Sequence, residues 1–151
     1  MKKQAAKTLE IRSDPFDDLL GYHLRRMSVM VMADLTEVLS QLGLKPADAS
    51  ILWMIGAYPG ITQSDAGKAL GILRANMAPL IARLLDRGLI EREPVDGRSH
   101  ALRLSSTGLD LCRRARSAAT GHEDRLFKSL SRTARAQMIS QLRALWMDRE
   151  Q

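Results

Sequence analysis

The sequence predicts a mainly helical fold with one small β-hairpin. Apolar residues recur every three or four positions over most of the chain, and capping signals divide these stretches into separate helices. Two-residue alternation is confined to residues 89–104. The chain has 151 residues, 45% of them hydrophobic, which is enough for one core. We therefore expect a single domain over residues 1–151.

A long first helix is predicted over about residues 15–42. Asp14 and Pro15 mark its start, because Asp accepts free N–H groups of a first turn and Pro has the φ that a first helical position needs. The apolar stripe runs to Leu42, and Gly43 ends it. At ~1.5 Å per residue such a helix is ~40 Å long, more than a domain of this size needs. We expect part of it to pack against a second subunit.

Three further helices are predicted in the middle of the chain. The second begins at Pro46 and stops at Tyr58-Pro59-Gly60, and a short third helix follows the capping box Thr62-Gln63-Ser64-Asp65. The fourth covers about residues 74–87 and contains Pro79, which lacks an N–H and must either lie near the first turn or bend the axis. We expect a bend.

The alternating residues 89–92 and 100–104 predict two short strands, with residues 94–98 as the tip of a hairpin. Ser105 and Ser131 are candidate caps for two C-terminal helices. The order of helix, short helix, turn, longer helix and hairpin is that of a winged helix-turn-helix. In that arrangement the second of the paired helices enters the major groove, and the hairpin tip touches the backbone or the minor groove.

Several short motifs make this interpretation more specific. Arg-Gly-Leu-Ile-x-Arg at residues 87–92, Asp-x-Arg at residues 96–98 and Leu-Ser-x-x-Gly at residues 104–108 occur in one succession. In order and spacing they resemble the core of MarR-type regulators, and the resemblance covers about residues 16–148. It implies a winged helix-turn-helix core at about 46–104, with dimerisation helices at about 15–42 and 105–148.

The resemblance further implies a homodimer that binds a double-stranded DNA operator. Because its two winged parts reach consecutive major grooves, the operator is expected to be nearly palindromic, with half-site centres about 10–10.5 bp apart. The charge agrees with an anionic partner: 23 Lys and Arg stand against 17 Asp and Glu, for a net charge of +6. The excess lies in the middle and C-terminal parts of the chain.

Arg98 at the predicted hairpin tip is the first candidate for a DNA contact. An Arg there can enter a narrow minor groove, and Asp96 can hold its guanidinium by paired hydrogen bonds. The wing of the family has this Asp-x-Arg arrangement, and both positions match. A solvated turn is the alternative.

The paired helices supply the other candidates. Arg74, Asn76 and Arg83 are predicted to point outward from the fourth helix, where Arg pairs with guanine and Asn with adenine. Phosphate contact, capping or solvation are the alternatives. Two further groups are candidate phosphate contacts. For the residues at the start of the third helix, helix capping is an equally good explanation. For the residue beside the wing, an ordinary surface charge is an equally good explanation. These candidates are Thr62, Gln63, Ser64 and Arg92.

By resemblance, a small anionic or aromatic effector binds between the dimer helices and the winged part. A cluster of flexible, aromatic and basic side chains on the first two helices is the candidate pocket, because Met and Trp tolerate irregular flat ligands and Arg meets a carboxylate or phosphate. Its members are Tyr22, His23, Arg26, Met30, Trp53 and Met54. Core packing is the alternative for the Met residues. An aromatic acid or its CoA thioester is the suggested effector.

Other function classes receive little support. His23, His100 and His122 are far apart in the sequence, Cys112 is the only cysteine, and no Gly-rich phosphate loop is present, so we expect neither an enzyme nor a cofactor. A metal site would need the segment His122-Glu123-Asp124. With no apolar run near the ~20 residues of a membrane span, we expect a cytoplasmic protein. The predicted function is a ligand-responsive repressor; the alternative is a winged-helix module that binds proteins.

Overall fold

The computed structural model describes residues 15–95 and 100–147. Within them the chain forms six helices and one antiparallel hairpin, which confirms the predicted fold class. The elements, in chain order, are α1 Leu20–Ser40, α2 Pro46–Ala57, α3 Gln63–Ala69, α4 Arg74–Asp86, β1 Ile90–Pro94, β2 His100–Leu104, α5 Ser106–Leu126 and α6 Arg132–Met147.

The first helix is shorter than the sequence indicates. Residues 15–18 form a turn, in which the Leu19 N–H donates to the Phe16 carbonyl at 2.9 Å. Leu19 itself has an extended backbone, with φ −97° and ψ 105°, and so separates this turn from α1. The predicted stop is confirmed: Gly43 has φ 65°, which lets the Leu44 N–H return to the Leu39 carbonyl at 3.1 Å.

The core is built around α2, which contacts α1, α3, α4, α5 and β2. Its apolar residues are distributed around the whole helix rather than along one stripe, as expected for a helix that is covered on most sides. Ala49, Ile51, Leu52 and Ile55 are fully buried. Helix α2 therefore lies against both α4 and the long helix α5.

The hairpin is fixed to the helices at its base. Arg92 lies opposite Leu102 in the register of β1 and β2, and Leu102 is fully buried. On its other side β2 meets the segment before α3, where the Gly60 N–H donates to the Leu102 carbonyl and the Leu102 N–H to the Ile61 carbonyl, both at 2.9 Å. The base of the wing is therefore held against the start of α3.

The Leu-Ser-x-x-Gly motif has a structural explanation. Ser105 caps α5 by accepting the Gly108 N–H at 3.0 Å, and its hydroxyl donates to the Gly88 carbonyl at 2.6 Å. A Cβ at Gly108 would lie 1.8 Å from the carbonyl oxygen of Leu89. Only glycine permits this close approach between α5 and the chain before β1.

Helix α4 is continuous through Pro79, its sixth residue. Pro79 is thus inside the helix, beyond the first turn, and the expected bend stays a prediction. In the two described segments, no helix is both long enough and apolar enough to span a membrane.

Candidate nucleic-acid interface and ligand cavity

A groove of about 770 Å³ lies between α3, the first turn of α4 and the base of the hairpin. The groove brings together five of the residues that the sequence singled out as DNA contacts: Thr62, Gln63, Ser64, Arg74 and Arg92. Lys68 and His100 also line it, and neither was predicted. Lys68 follows Ser64 by one helical turn, a spacing that would have indicated a shared face. No local pattern indicates His100, which reaches the groove through strand pairing.

The start of α3 has one half of the predicted capping box, the cap made by Thr62. The Thr62 hydroxyl accepts the Asp65 N–H at 3.2 Å and donates to the Asp65 carboxylate at 2.7 Å. The Asp65 carboxylate thus bonds to the Thr62 side chain, where a full capping box has it accept the Thr62 backbone N–H. Because the hydroxyl is used in the cap, the groups of α3 suited to an anion are its free backbone N–H groups. Arg92 Nη2 donates to Gln63 Oε1 at 3.4 Å, which joins the wing to α3.

The three candidates on α4 occupy different positions. Arg74 is exposed and lines the groove, whereas Asn76 is exposed but does not line it. At ~100° per residue Asn76 lies ~200° around the helix from Arg74, which explains the difference. Arg83 departs from the expectation that it points outward: it forms an ion pair with Asp48 of α2, a carboxylate that is only 2% exposed.

The predicted wing tip contacts, Arg98 and Asp96, lie outside the described residues and stay predictions. At the base of the wing Arg103 Nε donates to Glu93 Oε2 at 2.7 Å, and both side chains are exposed. Arg103 therefore has a carboxylate partner of its own.

A second cavity, of about 840 Å³, lies between α2 and α5. Trp53 and Met54 line it from α2, and Cys112 and Arg116 line it from α5. The guanidinium carbon of Arg116 lies 5.6 Å from the centroid of the Trp53 indole ring, within reach of a cation–π contact. Burial raises the pKa of the Cys112 thiol, and the nearby positive charge of Arg116 partly opposes this shift.

The predicted effector cluster is divided between two places in the subunit. Trp53 and Met54 line the α2–α5 cavity, but the four residues of α1, Tyr22, His23, Arg26 and Met30, do not. They lie on the N-terminal half of α1, where Arg26 donates to the Tyr22 hydroxyl at 3.2 Å and Met30 is 52% exposed. The sequence placed them together because it indicated two adjacent helices without showing how far α1 extends past the core.

Two terminal helices expose apolar faces. None of the side chains of α6 is buried in one subunit, and large apolar side chains are exposed on both α1 and α6. They include Leu20, Leu24, Met27 and Met30 on α1, and Met138, Ile139, Leu142, Leu145 and Trp146 on α6. Arg135 holds the start of α6 to α5 through ion pairs with Glu123 at 2.7 Å and Asp124 at 2.9 Å.

The segment His122-Glu123-Asp124 is engaged in contacts between helices. His122 is buried and its Nδ1 is paired with Asp34 of α1, while Glu123 and Asp124 bind Arg135. In the part of the chain that the structure describes, no cluster of three or more His, Cys, Asp or Glu residues has the arrangement of a metal site.

Comparison with known proteins agrees with this geometry. A model of the MarR family matches residues 42–99. A solved structure of a transcriptional repressor, CouR, bound to a 23-mer DNA duplex is 36% identical, covers 91% of this chain and 99% of that chain, and superposes with a TM-score of 0.83.

CouR bound to p-coumaroyl-CoA is 34% identical, covers 90% of this chain and 97% of that one, and has a TM-score of 0.78. Among curated proteins, a putative transcriptional regulatory protein for the hcr operon of Thauera aromatica is 26% identical, over 84% of this chain and 78% of that protein.

Proposed function

Because this chain belongs to the MarR family of DNA-binding transcriptional regulators, we propose that it is a homodimeric repressor, released from its operator by an effector in the α2–α5 cavity. The observation that carries the proposal is the groove between α3, α4 and the hairpin, where Lys68, Arg74, Arg92 and His100 converge beside the start of α3. We place its site of action in the cytoplasm, with its operator DNA.

The groove suits a DNA backbone beside a recognition helix. Helix α4 presents the small exposed side chains Ala75 and Ala78 on the face next to Arg74, which permits a close approach to base edges. Arg92 and Lys68 are exposed cations at the rim, where they are suited to phosphates. This division assigns sequence reading to α4 and positioning on the duplex to α3 and the wing.

A second copy of this chain is the proposed occupant of the exposed apolar faces of α1 and α6. So many exposed large apolar side chains on two helices are unusual for a monomer and typical of an obligate interface. Both faces belong to the helices outside the winged core, so a dimer formed through them leaves α3, α4 and the hairpin accessible to DNA. Two-fold symmetry then matches a nearly palindromic operator.

The chemistry of the α2–α5 cavity favours an aromatic anion as effector. Its volume falls within the ~300–1,000 Å³ of small-molecule sites. Arg113 and Arg116 line it, and none of the described lining residues is acidic, while Trp53 and Met54 provide flat and adaptable apolar surface. An aromatic acyl-CoA thioester, the ligand class of the relative bound to p-coumaroyl-CoA, combines both features.

Release requires that the effector bind one arrangement of the dimer more tightly than another, because a ligand with equal affinity for both shifts nothing. The cavity lies between α2 of the winged core and α5. Occupancy of this space changes the separation of the two helices, and thereby the separation of the two copies of α4 that must fit consecutive major grooves.

Operator binding is tested with the DNA upstream of the chain's own gene. We expect protection of a short inverted repeat, and a steep linear fall of log K with log salt because several phosphates are neutralised. Absent or salt-insensitive binding to all such DNA would contradict the regulator proposal and favour a protein-binding winged helix.

Effector binding is tested with p-coumaroyl-CoA as the probe, by titration of the free protein and of its operator complex. We expect release of the DNA, and a loss of probe affinity of at least about tenfold in Arg116→Met, because this variant loses one of the two cations that line the cavity. Arg125→Met, which removes an exposed cation outside the cavity, is the control. Equal affinity of all three proteins would remove the cavity from the proposal.

A further inference from the structure

Asp48 is a buried carboxylate in the first turn of α2, and both of its oxygens are used. Oδ2 accepts the backbone N–H of Lys45 at 3.1 Å, and Oδ1 accepts Nη2 of Arg83. Asp48 is 2% exposed and Arg83 38% exposed. The ion pair thus joins the start of α2 to the last turn of α4, across 35 residues of sequence.

The place of Arg83 on α4 separates it from the face that lines the groove. At ~100° per residue, Arg83 lies ~180° around the helix from Arg74. In any one orientation of α4, therefore, only one of these two side chains can enter the groove. A guanidinium held by a buried carboxylate on the opposite side is also not free to contact bases.

Apolar side chains form the buried face of α4. Met77, Ile81 and Leu84 are buried on one face of α4, so they hold this face against the core without contributing a directional bond. A charge-assisted hydrogen bond is directional. Since the place of Arg74 in the groove depends on the rotation of α4, the ion pair adds a directional restraint on this rotation to the packing of the apolar face.

We infer that Asp48 and Arg83 are positioning residues for operator binding: their ion pair sets the rotation of α4 relative to α2, and so the place of Arg74 at the DNA. The inference rests on the proposed function, because α4 needs this positioning only if it reads an operator. It gives Arg83 a role that differs from the direct DNA contact suggested by the sequence.

The test compares Asp48→Asn, which keeps the shape of the side chain, with Arg83→Met and with the double variant. Operator affinity is measured at several salt concentrations, together with thermal unfolding and the oligomeric state of each protein. We expect each single variant to lose about tenfold in operator affinity and the double variant to lose no more, because both changes remove one interaction.

The dependence on salt distinguishes positioning from contact. We expect the slope of log K against log salt to stay at the wild-type value, since no phosphate contact is lost, and affinity for unrelated DNA to stay unchanged. The exposed pair of Asp110 and Arg114 on α5 provides the matched control: Asp110→Asn and Arg114→Met should leave operator affinity at the wild-type value.

Two results would overturn the inference while leaving the proposed function intact. One is a salt slope reduced by about one unit in Arg83→Met with unchanged affinity in Asp48→Asn, which would make Arg83 a direct phosphate contact. The other is a loss of operator affinity in the variants that is fully explained by a smaller fraction of folded protein. If the wild-type protein shows no salt-dependent operator binding, the proposed function and the inference both fall.

Discussion

The structural roles of some residues can be predicted from the local sequence, and those of others cannot. Gly108 was part of a motif, but the reason for glycine is a carbonyl from a segment about twenty residues away, which no local pattern shows. The Asp48–Arg83 pair is also a contact between residues that are distant in the sequence, and no local pattern shows it. Thr62, by contrast, was predicted with its partner Asp65, because a capping box is a contact between residues three apart.

Gly108→Ala is expected to destabilise the protein by at least ~2 kcal/mol, because the new Cβ would meet the Leu89 carbonyl oxygen at 1.8 Å and the backbone must shift. Chemical denaturation measures the change. Gly121→Ala, in the same helix, is the control: its Cβ would meet only the end of the Arg125 side chain at 3.8 Å, so we expect a gain of ~0.5–1 kcal/mol. Equal effects at the two sites would contradict the steric explanation.

Cys112 provides a reporter for the α2–α5 cavity. Because burial raises the pKa of this thiol, less of it is thiolate at neutral pH than in an unperturbed cysteine, and its alkylation should be slow and should accelerate as the pH rises above neutrality. The rate is measured with iodoacetamide over a range of pH and compared with that of the unfolded chain. A folded protein that reacts as fast as the unfolded one at pH 7 would show that the thiol is accessible and unshifted.

At the scale of elements, the sequence predicts the six helices and two strands found in the described part of the chain, because capping residues and hydrophobic periodicity are local. It is wrong about the start of α1, where Leu19 adopts an extended conformation despite an unbroken apolar stripe. The lining of the candidate DNA groove was predicted better than that of the candidate effector cavity. Five groove residues come from the consecutive elements α3, α4 and β1, whereas the cavity depends on how α2 meets α5, a contact between distant segments.

The wing is tested as an element through Arg98. Arg98→Ala is expected to weaken operator binding by ~1–3 kcal/mol without unfolding the dimer, since an Arg in the minor groove contributes binding energy but no packing to the core. Operator titration and thermal unfolding are the measurements. Arg114→Met, on the exposed part of α5, serves as the charge control. An operator affinity equal to that of the wild type would remove the hairpin tip from the interface.

Helix α6 is tested by placing a charge on its exposed apolar face. Leu142→Glu should raise the dissociation constant of the dimer by at least about a hundredfold, because a carboxylate at an apolar interface is left without a partner. Analytical ultracentrifugation over a range of protein concentrations measures this. Arg143→Glu, one position further, is the control for added negative charge. A Leu142→Glu protein that stays dimeric at nanomolar concentration would place the interface elsewhere.

The whole molecule separates two tasks between different parts of the chain. The groove of α3, α4 and the hairpin is the proposed DNA site. The exposed faces of α1 and α6, the proposed dimer interface, lie on the helices before and after this core. Helix α2 connects the parts, since it carries Asp48 at one end and the cavity residues Trp53 and Met54 near the other. The order of these parts along the chain was predictable, whereas the contacts that couple them were not.

The exposed apolar face of α6 also has a genetic consequence. A subunit with a damaged groove keeps this face, and in a cell that makes both it is expected to associate with intact subunits through the proposed interface. Such mixed pairs carry one functional reading helix and fail on a two-fold operator, so groove alleles should be dominant over the wild type. Alleles that damage α6 leave the intact subunits to pair among themselves, and they should be recessive.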